Sequence, residues 1–361
     1  MEFEPVAHME WAKLESHARI NLSRSGVPGL SLGDLGLDPE GIEINGQHPY
    51  GYPPLIEAIA ARHGAKPDNV IPSIGTSMAI FHVCAALLGP GETAAVERPA
   101  YEQMRACPKA LGARVVRFER TLEEGYRVDP DALAAGIPDG TKLVLMTNLH
   151  NPSGVWLSPD EIRAIAAAAA RRGAWLFIDE VYLEFMPGAA ARTGFGLAEN
   201  VITAASLTKV FGLSGLRCGW LLVPDALVPL FRRSLDHFFV ESVFPAEQIS
   251  ARVFPLLDGI KEKRRAEWEL RRAEAAAFIA GEPRLAWIEP SAGIVGFPRV
   301  LGPGAAGDSL ARDLRGRWET SIVPGRFFED PRGVRLGYGV EPAVLSEGLA
   351  AIRAALDGRG I

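Results

Sequence analysis

Short runs of apolar residues alternate with segments of helical periodicity between about residues 54 and 223. Uninterrupted apolar runs are typical of strands buried in a parallel sheet, whereas apolar positions spaced three and four apart indicate helices packed against such a sheet. The predicted strands cover residues 94–97, 142–147, 175–178 and 201–205. The predicted helices are Pro54–His63, Ser77–Leu88, Tyr101–Leu111 and Ser158–Arg172. This order predicts an α/β fold with a mostly parallel sheet and helices on both faces.

The pattern changes near residue 245. A long charged helical region covers about 245–280, followed by short strands around 286–288, 295–300 and 334–338 and by helices at 308–318 and 342–356. The glycine- and alanine-rich stretch 302–307 is predicted to be a surface loop. We therefore predict a smaller α+β domain beside the large one. The predicted division is an N-terminal arm that joins the small domain (1–45), a large domain (46–258) and a small C-terminal domain (259–361).

Composition narrows the class of protein. The chain has 361 residues, of which 48% are hydrophobic and 23% charged, with a net charge of −6, and these values suit a globular enzyme. No apolar run approaches the roughly 20 residues of a membrane helix, and no basic stripe indicates a nucleic-acid partner. The N-terminus lacks the pattern of a signal peptide, and the three cysteines lack metal-ligand spacing. We expect a cytoplasmic protein without a metal site.

One lysine stands in an apolar, glycine-containing loop directly after a predicted strand, in the segment Ser206-Leu-Thr-Lys209-Val-Phe-Gly-Leu-Ser-Gly-Leu-Arg217. A primary amine forms an imine with an aldehyde only when part of it is neutral, and burial or neighbouring cations favour the neutral form. The setting of Lys209 is typical of a site for pyridoxal phosphate. For this fragment alone, a solvent-exposed lysine after a strand is the alternative.

A carboxylate follows the predicted strand 175–178. In Asp179-Glu-Val-Tyr182, the aspartate lies at the carboxyl end of that strand. A carboxylate at this place can keep a pyridine nitrogen protonated, so that the ring accepts electrons released from a substrate. Tyr182 is near enough in sequence to reach the phenolic oxygen of the same ring. An aspartate that caps the following segment is the alternative.

Two polar turns are further candidates for cofactor contacts. The turn after strand 142–147 contains Asn151, whose amide can bond a phenolate oxygen, although its composition is common in turns. Gly75, Thr76 and Ser77 precede a predicted helix, so free N–H groups and two hydroxyls would meet a phosphate at the helix N-terminus. An ordinary Ser or Thr N-cap is the alternative.

An aromatic residue and an arginine complete the set of candidates. Tyr101 follows strand 94–97 and can lay its ring on the face of a flat cofactor, although a lone aromatic is also typical of a core. Arg335 lies on the short alternating strand Gly333-Val-Arg335-Leu-Gly-Tyr338, where its guanidinium can bind a carboxylate through two hydrogen bonds. A surface arginine on an edge strand is the alternative.

In their order and spacing, these motifs resemble those of the class I and II aminotransferases, which are fold-type I pyridoxal phosphate enzymes, over nearly the whole chain. The resemblance implies pyridoxal 5′-phosphate as the cofactor of the large domain. It makes Lys209 the lysine that forms the imine and shuttles protons, Asp179 the partner of the pyridine nitrogen, and Tyr182 a ligand of the phenolic oxygen. The other implied contacts are Asn151 at the phenolic oxygen, a phosphate site (Gly75, Thr76, Ser77, Ser206, Arg217), a stacking residue (Tyr101) and a substrate-carboxylate site (Arg335 with Asn151).

The resemblance also implies a homodimer. The segment Gln47-His-Pro-Tyr50-Gly-Tyr52-Pro is similar to the family's tyrosine-bearing loop, which reaches the phosphate held by the partner subunit. Tyr50 is the favoured residue and Tyr52 the alternative, because the spacing to the next helix is short. Gly26 matches a glycine that lies beside the substrate in the family, although a plain loop explains this segment nearly as well.

The implied activity is transfer of an amino group between an α-amino acid and a 2-keto acid in two half-reactions. A lyase, decarboxylase or cyclase with the same cofactor is the alternative, because fold and cofactor do not decide which bond breaks. A non-catalytic sensor that binds the cofactor is a remote alternative. Relatives acting on dicarboxylic substrates have an additional arginine before the segment Val243-Phe-Pro245, where this chain has His237-Phe-Phe-Val-Glu241. We therefore expect a neutral, aromatic or basic amino acid as substrate.

Overall fold

The computed structural model describes residues 3–302 and 306–358. The strands, in chain order, are β1 (Ile20–Asn21), β2 (Val70–Ile74), β3 (Thr93–Arg98), β4 (Arg114–Glu119), β5 (Leu143–Thr147), β6 (Trp175–Asp179), β7 (Val201–Ser206), β8 (Cys218–Leu222), β9 (Leu285–Ala286), β10 (Val295–Gly296), β11 (Arg299–Val300), β12 (Thr320–Ser321), β13 (Val323–Pro324) and β14 (Val334–Gly337).

The helices are α1 (Ala7–Leu14), α2 (Pro53–His63), α3 (Gly75–Leu87), α4 (Gln103–Ala110), α5 (Pro130–Gly136), α6 (Pro159–Ala170), α7 (Val228–Leu235), α8 (Phe244–Val253), α9 (Leu257–Ala280), α10 (Gly307–Trp318) and α11 (Pro342–Asp357). The start of α6 follows directly from its sequence. Ser158 accepts a hydrogen bond from the backbone N–H of Glu161, whose carboxylate accepts from the backbone N–H of Ser158 over 2.9 Å. This capping box supplies partners for N–H groups that the first helical turn leaves free.

The central sheet contains seven strands in the order β2-β8-β7-β6-β5-β3-β4. Only β8 runs antiparallel to its neighbours in this sheet, β2 and β7. In the parallel part, Thr147 pairs with Asp179, and Asp179 pairs with Ala204. The carboxyl ends of β5, β6 and β7 therefore meet at one edge of the sheet, which is where ligands bind in open α/β folds.

Helices cover both faces of this sheet, as predicted. On one face, Ile80 and Val83 of α3 and Phe231 of α7 pack on the strands without any solvent exposure. On the other face, Ile162 and Ile165 of α6 pack on the strands and are 2% and 0% exposed. The mostly parallel α/β architecture predicted from the sequence is confirmed. Among the described residues, no helix is long and apolar enough to cross a membrane.

The C-terminal part contains short strands and two packed helices. β14 lies between β10 and β13 in an antiparallel sheet, and β9 pairs with β11. β1, near the start of the chain, pairs in parallel with β12, so the first and last parts of the chain pack together. The boundaries predicted at residues 45 and 258 stay a proposal for the division into domains.

The structure refines two sequence predictions. The charged helical region 245–280 is two helices, α8 and α9, joined by a 3₁₀ turn at Phe254–Leu256. Pro255 lies in that turn, and proline lacks the N–H group that a continuous helix needs. The predicted strand 295–300 is likewise divided into β10 and β11, with Pro298 between them. Residues 303–305 of the predicted surface loop 302–307 lie outside the described residues.

Candidate active site

Asp179 is the carboxylate at the end of β6. It is 4% exposed, and burial raises its pKa to about 7, while the backbone N–H of Val181 and the charge of Lys209 act in the opposite direction. Val181 donates to the carboxylate over 3.0 Å. A buried carboxylate near its titration point is stabilised as an anion when a cation comes to face it. The geometry thus offers a site for a protonated ring nitrogen.

Lys209 follows β7 and faces the same region. Burial, followed by the positive charge of Arg335, lowers its pKa to about 8, and the charge of Asp179 opposes this shift. The amine Nζ donates a hydrogen bond to the hydroxyl of Ser25 over 3.1 Å. A lysine with such a pKa has a sizeable neutral fraction at physiological pH, which makes it a nucleophile and a base. The sequence-based alternative of an ordinary surface lysine is wrong.

The segment 25–27 lies against Lys209. A Cβ atom on Gly26 would stand 3.6 Å from Cδ of Lys209, and the backbone N–H of Val27 donates to the carbonyl of Lys209 over 3.1 Å. The hydroxyl of Tyr182 donates to the carbonyl of Ser25 over 2.9 Å. Gly26 therefore lies beside the lysine, and its place beside the substrate stays a prediction. Ser25 contacts both Lys209 and Tyr182.

The start of α3 forms a cradle for an anion. Gly75 is the first residue of α3 and has φ = +75°, and a Cβ atom there would clash with the guanidinium of Arg217. A Cβ on Gly219 would come within 2.7 Å of Gly75 Cα. Thr76 and Ser206 lie with their hydroxyl oxygens 3.4 Å apart. Free N–H groups, hydroxyls and an arginine at a helix N-terminus fit a phosphate group.

Tyr101 stands next to this cradle. Its hydroxyl is hydrogen-bonded to the side chain of Ser77 on α3, and burial raises the pKa of the phenol. The hydroxyl also contacts Met9 Sδ at 3.4 Å, and the ring packs against the core beneath the sheet edge. Tyr101, the predicted stacking residue, therefore lies next to the predicted phosphate site at the start of α3.

Arg335 lies on β14, the middle strand of its sheet, and only 3% of it is exposed. Nη1 donates to Oδ1 of Asn151 and Nη2 donates to the carbonyl of Ser23, both over 3.2 Å. The guanidinium lies 5.2 Å from the ring centroid of Phe328, and Nε has no partner among the described residues. A buried arginine with an unused donor is suited to an anion such as a carboxylate. The alternative of a surface arginine on an edge strand is wrong.

A network of buried polar residues holds the backbone of Asn151 in place. The backbone N–H of Asn151 donates to the hydroxyl of Thr147 over 2.9 Å, and this hydroxyl donates to Glu97 over 2.7 Å. Glu97 also forms an ion pair with Arg120, and both side chains are fully buried. The sequence analysis missed Glu97 and Arg120. A signal was present, because Glu97 ends an apolar run that otherwise reads as a buried strand.

Helix α1 adds a residue that the sequence analysis also missed. His8 is 2% exposed, and burial, followed by the charges of Arg335 and Lys209, lowers its pKa to about 2. Its ring stacks on Phe327 at a centroid distance of 5.4 Å and lies 6.1 Å from the ring of Tyr101. The neutral imidazole is therefore part of the wall near Lys209 and Arg335.

The two candidate tyrosines of the predicted dimer loop lie away from Lys209 of their own chain. Tyr50 is 41% exposed, and the guanidinium of Arg232 lies 5.2 Å from its ring centroid. Tyr52 directly precedes α2, where its backbone N–H donates to Glu247 over 2.8 Å and its ring packs on Phe244. A contact with the cofactor of a second subunit stays a prediction for either residue.

Comparison with known proteins assigns this site to a family. The family model for class I and II aminotransferases matches residues 43–352. The chain belongs to the class I and II aminotransferase family. It is 30% identical over 355 residues to capreomycidine synthase from Streptomyces vinaceus, covering 93% of this chain and 89% of that protein. It is 28% identical to arginine–pyruvate transaminase AruH from Pseudomonas aeruginosa, covering 80% and 77% of the two chains.

Solved structures show the same fold. A pyridoxal phosphate-dependent aminotransferase from Streptococcus suis superposes with a TM-score of 0.92 at 24% identity, over 99% of both chains. The pyridoxal phosphate-dependent cyclase OrfR superposes with a TM-score of 0.88 at 27% identity, over 99% of this chain and 98% of that one. The chain is thus a fold-type I enzyme with pyridoxal 5′-phosphate as its cofactor, and the cradle at α3, the buried Asp179 and the partly neutral Lys209 fit that group.

Proposed function

We propose that this enzyme transfers an amino group between an α-amino acid and a 2-keto acid in two half-reactions. The observation that carries the proposal is the placement of Lys209 beside Arg335. The lysine has a pKa lowered to about 8 in part by the arginine's charge, and the arginine has an unpartnered buried Nε. The neutral amine of Lys209 can thus accept a proton, and Arg335 can bind the substrate carboxylate next to the carbon that loses this proton.

We infer the following cofactor contacts. When bound, pyridoxal phosphate supplies an aldehyde carbon and a ring that accepts electrons from the substrate. Asp179 would hold the pyridine nitrogen as a cation. Asn151 would donate to the phenolic oxygen, and Tyr182 would move its hydroxyl proton from the carbonyl of Ser25 to the same oxygen. Tyr101 would cover one face of the ring. The phosphate would be held by the start of α3, the side chains around it (Gly75, Thr76, Ser77, Ser206, Arg217) and, across the proposed dimer, Tyr50.

Lys209 acts on the proton of the substrate α-carbon. Its neutral amine would accept that proton and, as an ammonium, would deliver it to the aldehyde carbon that the cofactor supplies, so one group serves as base and then as acid. Partial burial of Lys209 supports this role, because it favours the neutral form that accepts the proton.

Arg335 and Asn151 orient the substrate. A carboxylate that binds the guanidinium through two hydrogen bonds can use the free Nε together with Nη2 on the same edge, while Nη1 keeps its hydrogen bond to Asn151. Since the carboxylate is then held in place and kept charged, breakage of the C–H bond is favoured over loss of carbon dioxide. The site thereby selects α-amino acids over simple amines.

The substrate side chain is proposed to be neutral, aromatic or basic. The segment His237-Phe-Phe-Val-Glu241 has no arginine for a second carboxylate, and Glu241 is exposed. Arginine is included among the candidate donors because the similar protein AruH is named an arginine–pyruvate transaminase. Because His8, Phe327 and Tyr101 lie together near the site, aromatic donors are included as well.

A homodimer in the cytoplasm is part of the proposal. Arg217 and Tyr50 are exposed in the single chain although both are proposed to bind the phosphate. Large apolar side chains are also exposed on the two segments next to α8, namely Ile44 at 78%, Val240 at 83% and Val243 at 51%. Large exposed apolar side chains favour a surface that another protein covers. The three cysteines are free, which suits a reducing compartment.

A synthase or cyclase is the second candidate. Capreomycidine synthase is similar over nearly the full length of the chain, and the cyclase OrfR shares the fold at 27% identity. The same lysine and aspartate support elimination and ring closure when a different bond is broken.

One experiment separates the two candidates. The enzyme is loaded with pyridoxal phosphate, and single amino acids are added without a keto acid while the visible spectrum and the products are recorded. Transamination predicts one keto acid and one pyridoxamine phosphate per site, followed by recovery of the spectrum when a second keto acid is added. Ammonia, carbon dioxide or a cyclic product formed over many turnovers would assign the enzyme to the second candidate. Binding without any product would instead support a sensor.

A further inference from the structure

We propose that Ser25 is a positioning residue for Lys209: its hydroxyl receives the lysine amine whenever that amine is not bonded to the cofactor. The proposal rests on the proposed function of Lys209 as the group that moves protons. The direct observation is the hydrogen bond from Nζ to Ser25 Oγ at 3.1 Å. Ser25 is partly buried.

Hydrogen bonds hold the backbone of segment 25–27 in place next to Lys209. Val27 donates to the carbonyl of Lys209 over 3.1 Å. In the cofactor-free chain, the hydroxyl of Tyr182 gives its one proton to the carbonyl of Ser25 over 2.9 Å. Gly26 lies directly against the lysine side chain, since a Cβ atom there would stand 3.6 Å from Cδ of Lys209, which is ordinary van der Waals contact. The hydroxyl is therefore held at one place relative to the lysine backbone, while the amine at the end of a flexible side chain moves.

The hydrogen bond to Ser25 can orient the lysine amine for proton transfer. A neutral amine has two N–H groups and one lone pair, and only the lone pair can accept the proton from the α-carbon. When one N–H donates to Ser25, rotation about the terminal C–N bond is restricted, and the lone pair has a defined direction. Without the hydroxyl, the amine has to lose this freedom during the reaction, and the cost appears in the rate of proton transfer.

The same hydroxyl affects the charge of the lysine. An acceptor binds an ammonium more strongly than a neutral amine, so Ser25 favours the protonated form. Its removal is expected to lower the pH at which the amine titrates by roughly one unit. This effect follows from contact with the amine and is not expected from a residue that only stabilises the fold.

The test compares Ser25→Ala with Ser25→Thr, which keeps a hydroxyl, and with Ser31→Ala as a matched control. Ser31 lies in the same segment, but its hydroxyl bonds Asp34 at 2.7 Å. We expect Ser25→Ala to lower kcat roughly tenfold with KM little changed, and to move the acid limb of the kcat profile to lower pH. Ser25→Thr restores most of the rate, and Ser31→Ala behaves like the parent enzyme.

A second readout does not depend on turnover. The rate at which cofactor-free enzyme combines with pyridoxal phosphate is followed by absorbance against pH, because it reports the neutral fraction of Lys209. A shift of this profile to lower pH in Ser25→Ala supports the proposal even if no amino acid is converted, in which case the proposed function alone fails. Unchanged profiles in both measurements would overturn the proposal, as would an equal loss of activity in Ser25→Ala and Ser25→Thr.

Discussion

Arg120 donates to Glu97 over 2.6 Å in an ion pair from which solvent is fully excluded. The other carboxylate oxygen of Glu97 accepts from the backbone N–H and the hydroxyl of Thr147 over 2.8 and 2.7 Å. Arg120 also donates to the carbonyls of Tyr126 and Thr147. The pair thus joins β3, the end of β4 and the end of β5 directly below the turn that carries Asn151.

Breaking this pair from one side is expected to destabilise the enzyme. Glu97→Gln keeps the shape but leaves the charge of Arg120 buried without a counter-charge, which costs about 3–5 kcal/mol. Urea unfolding of the cofactor-free protein measures the change. Arg163, whose ion pair with Asp160 is exposed, provides the control, and Arg163→Met should stay within about 0.5 kcal/mol. If Glu97→Gln combined with Arg120→Met loses as much stability as the two single changes summed, the pair does not act as a unit.

Replacement of Lys209 is expected to separate cofactor binding from catalysis. Lys209→Ala removes the amine, so turnover falls to background, while the cradle at α3 still binds the phosphate of the cofactor. Borohydride treatment followed by mass spectrometry should show covalent pyridoxyl addition to the parent enzyme at Lys209 and none to the variant. Covalent addition at another lysine in the parent would refute the assignment.

Arg335 is expected to control substrate affinity and to have little effect on the cofactor. Arg335→Lys keeps a positive charge but loses the planar fork that binds a carboxylate through two hydrogen bonds. KM for the amino acid should rise roughly 30- to 100-fold, which corresponds to the loss of about 2–3 kcal/mol of charge-assisted hydrogen bonding. The visible spectrum of the resting enzyme should change little. An unchanged KM would place the carboxylate elsewhere.

Asp179 is expected to lower the stability of the cofactor-free protein at neutral pH. Its pKa is raised from the usual 3.8 to about 7 by burial, so its stabilising contribution is complete below about pH 4 and is lost as the pH rises through about 7. Asp179→Asn, which keeps an acceptor for the N–H of Val181, should raise Tm at pH 8 by roughly a few degrees. The difference should vanish near pH 4, where the parent carboxyl is protonated.

The same variant should fail as an enzyme, because asparagine cannot stabilise a protonated pyridine nitrogen. Thermal unfolding at the two pH values and an activity assay at pH 8 test both halves. A lower Tm for Asp179→Asn at pH 8 would show that the charge stabilises the empty site, contrary to the prediction.

Sequence patterns predicted the parts of this molecule that depend on local rules. The apolar run before Asp179 predicts a buried strand, and the Ser158-to-Glu161 motif predicts the start of α6. The role of the buried Glu97 could not be predicted in the same way, because its partner Arg120, directly after β4, is brought to it only by the pairing of β3 with β4. His8 and Ser25 were missed for a similar reason, since their contacts with the site come from tertiary packing. The proposed phosphate contacts of Tyr50 and Arg217 could not be inferred from local patterns either, because both side chains are exposed in the single chain.

The pairing of β1 with β12, together with the hydrogen bond from Arg335 to the carbonyl of Ser23 across 312 positions of sequence, has a consequence for biosynthesis. Domains generally fold as their residues emerge from the ribosome, and the large sheet is complete once residue 222 has emerged. The surroundings of Ser23 and Lys209 are completed only when residues 334–337 arrive. A nascent chain can therefore form the large sheet and the start of α3 more than 100 residues before Arg335 reaches the carbonyl of Ser23.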